Sequence, residues 1–156
     1  HESTTLPLIA AGVICTGEGI LAAMVVGAEG VQIGTRFALT EESSASPVFK
    51  DYCLSLGEGD TKLLLKKLAP TRLVKNAFRE AVEKAEDSGA TSEELRTLLG
   101  RGRAKKGIFE GDLEEGELEI GQVSAIISRR QSVAEVMNEL VESYRQAVEK
   151  KYLFER

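Results

Sequence analysis

With 156 residues, 42% of them hydrophobic, the chain can bury a core of ordinary domain size and is not a disordered segment. Its formal net charge of −5 argues against a general nucleic-acid binder, which needs a basic surplus to displace counterions from phosphates. Two cysteines without paired spacing, Cys15 and Cys53, and a single histidine, His1, supply no ligand set for zinc.

In chain order, "LPLIAAGVI" from Leu6 to Ile14 is an almost wholly apolar run, the pattern of a strand covered on both faces in a parallel sheet. "CTGEG" then breaks it, and "ILAAMVVGA" reads as a short helix ended by Gly27. A second strand is predicted at Val31 to Ile33. Strand, glycine turn, helix and strand form a βαβ unit, which needs a right-handed crossover and further parallel neighbours. Ser46 before Pro47 opens a helix to about Leu56, because serine caps the first N–H groups and proline suits the first helical position. "TKLLLKKLAPTRL" is ambiguous between strand and helix, and Pro70 breaks it.

Further on, "VKNAFREAVEKAED" carries a helical apolar stripe (Val74, Ala77, Phe78, Ala81, Val82, Ala85) that stops at Gly89. Thr91 with Glu94, and Ser132 with Glu135, are capping boxes that start two more helices. The second runs to Tyr152 with Val133, Val136, Met137, Leu140, Val141, Tyr144 and Val148 on one face, so it must dock on something. The basic run "RGRAKKG" at 101–107 faces the acidic "EGDLEEGELE" at 110–119 and reads as a solvated, charge-balanced turn. No apolar run reaches the roughly 18 residues that a membrane span needs, and no charged-then-apolar leader opens the sequence. The expected location is cytoplasmic.

Two readings of the glycines stay open. "GEGILA" at Gly17 to Ala22 fits the G-x-G-x-x-A dinucleotide pattern, but the next strand ends in "QIGTRF" and lacks the acidic residue that would hold a ribose. Alternatively, Gly12-Val13 and Gly34-Thr35 close two successive parallel strands at the same sheet edge. Such paired strand ends bind phosphate in (β/α)8 barrels, and glycine lets the backbone approach the phosphate oxygens.

The string "LPLIAAGVICTGEGILAAMVVGAEGVQIGTRF", continued by "EESSASPVFK", "GDTKLL", "PTRLVKNAF" and "EGDLEEGELEIGQVSAII", closely resembles the C-terminal part of the nitronate monooxygenase (2-nitropropane dioxygenase) family, which includes flavin-dependent enoyl-acyl carrier protein reductases. The resemblance implies the last two strands of an FMN-binding (β/α)8 barrel at residues 1–40, a mainly helical insertion at 41–120 and a C-terminal helical tail at 121–156. It further implies that Gly12, Val13, Gln32, Ile33, Gly34 and Thr35 hold the FMN phosphate and ribityl region. The family usually has a second glycine where this chain has Val13.

The family's histidine beside the flavin corresponds to His1, or else His1 has no role, since only four residues separate it from the first strand. The implied parent activity is oxidation of alkyl nitronates with O2. The alternative is reduction of an enoyl thioester at the expense of NAD(P)H. A third reading, from another class, is a non-catalytic truncated module that self-associates as a homo-oligomer. Gln122 and Ser124 match a family segment that returns toward the flavin. On their own chemistry, Cys15 reads as a buried filler, Arg36 as the partner of a carboxylate, and Arg72 and Lys75 as a solvated face or contacts to an anionic substrate.

Overall fold

The computed structural model describes residues 5–150, so His1 lies outside the described residues. Two parallel strands, β1 (Ile9–Ala11) and β2 (Gly30–Gln32), flank helix α1 (Gly17–Val25) in the anticipated βαβ unit. Ile9 pairs with Gly30, Ala10 with Val31 and Ala11 with Gln32. Thr16 caps α1 by accepting the Gly19 N–H at 3.1 Å. The first strand is shorter than the sequence suggests, and β2 keeps the expected three residues but lies one residue earlier. The expectation that the first strand is covered on both faces is corrected: Ile9 is 53% exposed and Leu6 and Leu8 are exposed too. Among the described residues this sheet has two strands, so apolar composition alone did not secure burial.

After the short helix α2 (Thr35–Ala38) comes α3 (Pro47–Leu54), capped by Ser46, which accepts the Phe49 N–H at 3.2 Å. The ambiguous "TKLLLKKLAPTRL" segment is a β-hairpin: β3 (Thr61–Leu64) pairs antiparallel with β4 (Thr71–Val74), and Pro70 sits in the connection. Val74 therefore belongs to β4 and not to the following helix, α4 (Ala77–Asp87). Helix α5 (Ser92–Leu99) begins with the Thr91–Glu94 capping box. A π-helical turn at Lys105–Phe109 and a 3-10 turn at Gln122–Ile126 lead to α6 (Val133–Glu149), opened by the Ser132–Glu135 box.

Two apolar clusters hold the middle of the chain. Leu39, Phe49, Cys53, Val74, Leu118 and Ile120 form one; Leu64, Leu65, Leu73, Phe78 and Val82 form the other on the hairpin and α4. The basic run and the acidic run meet as anticipated, through Arg103–Glu115 at 3.5 Å, Lys105–Glu110 at 3.3 Å and Lys106–Asp112 at 2.9 Å. Helix α6 docks on α1, burying Val136, Leu140 and Ala147, but Met137, Val141 and Val148 of its predicted stripe stay exposed. Among the described residues no helix is long and apolar enough to cross a membrane, and no three His, Cys, Asp or Glu side chains group as metal ligands.

Candidate functional site at the strand ends

The parallel strands β1 and β2 both end at one edge, and the turns that follow them share a cleft of about 260 Å³. Gly12, Val13, Gln32, Gly34 and Thr35 line it, together with Gly121 and Val123. Five of the predicted site residues are thus brought together. Ile33 is not: it lines a separate apolar groove of about 570 Å³ between α1 and α6. Successive side chains of an extended segment point to opposite faces, so the Ile33 side chain leaves the cleft to Gln32 and Gly34 while its backbone runs between them.

Gly12 has φ +85°, and a side chain there would meet open space, as it would at Gly34. Gly12 is therefore required for its backbone conformation and not for tight packing. Val13 follows it at φ 62°, a left-handed conformation that a β-branched residue rarely adopts. The strand-end turn thus has the shape that two glycines would form easily, and Val13 holds that shape under strain. The residue is 65% exposed and borders the mouth of the cleft.

Thr35 accepts the Gly121 N–H through its hydroxyl at 3.1 Å, which leaves the hydroxyl proton free to donate into the cleft. A methyl at Gly121 would lie 2.4 Å from that oxygen, so this glycine allows the 121–123 segment to close the cleft's far wall. Sequence reasoning singled out Gln122 and Ser124 of this segment. Gln122 lines an adjoining cleft, Ser124 is buried with an unpartnered hydroxyl, and Gly121 and Val123 do the lining. The signal that could have found Gly121 was its place at the end of the acidic run, where the chain turns back toward Thr35.

Arg36 fixes the underside of the site. Its guanidinium donates to the Cys15 carbonyl at 2.8 Å and to Gln131 Oε1 at 3.1 Å, and pairs with Glu139 at 2.7 Å, the carboxylate partner expected for it. Glu139 is held below its usual carboxylate range by its bonds to Arg36 and Gln131. Cys15 is buried, and burial pushes its thiol up against the opposing pull of Arg36, so it is a poor nucleophile. Lys75 is exposed and borders none of these clefts, whereas Arg72 lies on the hairpin side of the trench that continues from the cleft.

The family pattern described as nitronate monooxygenase matches residues 1–143. A probable nitronate monooxygenase of Bacillus subtilis is 32% identical over 140 residues, which are 89% of this chain and 40% of that protein. Among solved structures, FabK from Thermotoga maritima superposes with a TM-score of 0.86 at 32% identity, covering 96% of this chain and 47% of the other. The nitroalkane oxidase of Streptomyces ansochromogenes gives 0.71 at 27% identity, covering 94% and 42%. The chain has the α/β fold of these proteins and spans less than half their length.

Proposed function

Because the chain belongs to the nitronate monooxygenase family, we propose that it is the cofactor-phosphate portion of an FMN-dependent oxidoreductase built on a (β/α)8 barrel, whose parent activity is oxidation of alkyl nitronates with O2. The observation that carries this reading is the convergence of Gly12, Val13, Gln32, Gly34 and Thr35 on one cleft at the ends of two parallel strands. The cleft suits the phosphate and ribityl end of the flavin: beside the apolar Val13, Ile14 and Val123 it offers turn backbone, the Thr35 hydroxyl and the Gln32 amide, and no side chain fills the space at Gly12 or Gly34. FMN when bound supplies the redox chemistry. The chain's own residues would bind and orient it: the turn backbone and the Thr35 hydroxyl would hold the phosphate, while the Gly121–Thr35 and Arg36–Cys15 hydrogen bonds keep the two turns in register.

The division into strand ends (1–40), insertion (41–120) and tail (121–156), the cytoplasmic location and a proton-transfer role for His1 belong to the same reading. The likeness to FabK supports the alternative branch, an enoyl thioester reductase using NAD(P)H. Titration of the folded chain with FMN, followed by flavin fluorescence and by sedimentation at the flavin wavelength, tests the proposal. Saturable binding that weakens in Thr35→Ala is expected, and a folded chain that leaves FMN free would overturn it. A non-catalytic self-associating module is the second reading, supported by the exposed apolar residues of β1 and α1.

A further inference from the structure

Five arginines among the described residues are partly buried: Arg36, Arg72, Arg79, Arg103 and Arg130. Four have a carboxylate partner, namely Glu139, Glu83, Glu115 and Asp51 respectively for Arg36, Arg79, Arg103 and Arg130. Arg72 has none within ion-pair distance among the described residues. A partly desolvated guanidinium without a counter-charge is costly, so its position calls for a reason. One edge of it is fixed: Nη1 donates to the Thr61 carbonyl at 3.3 Å and to the Thr61 hydroxyl at 3.2 Å. This ties β4 to β3 and pre-orients the fork.

The guanidinium borders two clefts, of about 530 and 430 Å³, and both also include Val13 and Gln122. They are the continuation of the strand-end cleft toward the hairpin. Glu58 and Glu119 border them as well, yet neither pairs with Arg72, so an incoming anion does not have to displace a carboxylate.

We infer that Arg72 is an oxyanion-recognition residue, which takes a phosphate or carboxylate group of a ligand lying across the trench beside the strand-end site. Arginine suits this task because its planar fork matches a two-oxygen anion and stays charged at every working pH. The residue sets specificity, favouring ligands that carry such a group over neutral analogues. The inference rests on the proposed reading only in taking the strand-end cleft for a ligand site.

Phenylglyoxal labelling of the full chain, read at each arginine by peptide mass spectrometry, is the test. Inorganic pyrophosphate and malonate are the two probes, one for each oxyanion class. Slower labelling of Arg72 with either probe, with exposed Arg101 labelled at an unchanged rate, is expected, and the protecting probe identifies the class. Calorimetric affinity for that probe should fall roughly tenfold in Arg72→Gln and be partly kept in Arg72→Lys. No protection by either probe, or equal protection of Arg72 and Arg101, overturns the inference. Because loss of the Thr61 contacts could unfold Arg72→Gln, the labelling of the unaltered chain decides by itself. Parallel FMN titration separates the two claims: FMN binding without protection overturns this one alone, and protection without FMN binding overturns the flavin reading alone.

Discussion

Val13 and Glu117 are each held in a state their chemistry resists. Val13 sits at φ 62° directly after Gly12 at φ +85°. A strained left-handed residue costs on the order of 1–3 kcal/mol, and glycine's extra chain entropy returns about 0.5–1 kcal/mol of that. Val13→Gly is therefore expected to stabilise the chain by about 1 kcal/mol in urea unfolding, with Val13→Ala in between, and to tighten FMN by opening the cleft mouth. Equal midpoints for all three would show that the turn relaxes around valine. Glu117 is only 7% exposed, and burial first, then the neighbouring Glu119 charge, push its carboxyl from 4.5 up to about 7, with the Arg103 cation opposing them. The folded-state value is raised, so the stabilising protonated form is complete below pH 4.5 and is lost as pH rises through about 7. Stability measured across that window should fall in the unaltered chain by a few kcal/mol, about 1.36 for each tenfold change in proton affinity. In Glu117→Gln the curve should lose that slope and lie higher above pH 7.

At the scale of elements, the crossing of α1 and α6 gives the glycine pattern a different meaning. Gly17 is buried, its N–H donates to Ser143 Oγ at 3.0 Å, and a methyl there would lie 2.0 Å from the Tyr144 nitrogen. Gly19 has only ordinary contacts, the closest at 3.6 Å to Ile14. The first glycine of "GEG" thus permits helix against helix, and the second merely sits in the first turn of α1. Gly17→Ala should cost about 1–3 kcal/mol or more through overpacking, whereas Gly19→Ala should be neutral or mildly stabilising, as alanine is the better helix former. Circular dichroism melts of both variants check this, and a large loss in Gly19→Ala would contradict it. A dinucleotide loop would need both glycines, so the pair also discriminates between the two readings of the stretch.

Over the whole molecule, local signals were legible and long-range ones were not. Ser46, Thr91 and Ser132 cap their helices as read, and the βαβ unit was visible because capping and periodicity act over a few residues. The hairpin was ambiguous because its strands hold four residues each, too few to show a period. Arg72, Gly121 and Glu117 owe their meaning to partners or clefts formed by segments distant in sequence, which no spacing rule reports. The same limit applies to what covers the apolar residues of α1. Val25 and Val26 are 77% and 84% exposed, Met24 is exposed beside them, and Met24 also lines the open groove against α6. Contiguous apolar surface of this kind gains free energy by leaving water, at about 25 cal/mol per Å². The net charge of −5 is spread over a chain of this size and resists association only weakly at physiological salt, where screening acts within about 8 Å. The isolated chain is therefore expected to self-associate, its sedimentation coefficient rising with concentration. Replacing Val25 and Val26 together by lysine should restore the monomer without changing the helical signal, because both sit at the exposed C-terminal end of α1, where cations are favourable. A monomer at every concentration before substitution would show that the exposed face is too small or too dispersed to drive assembly.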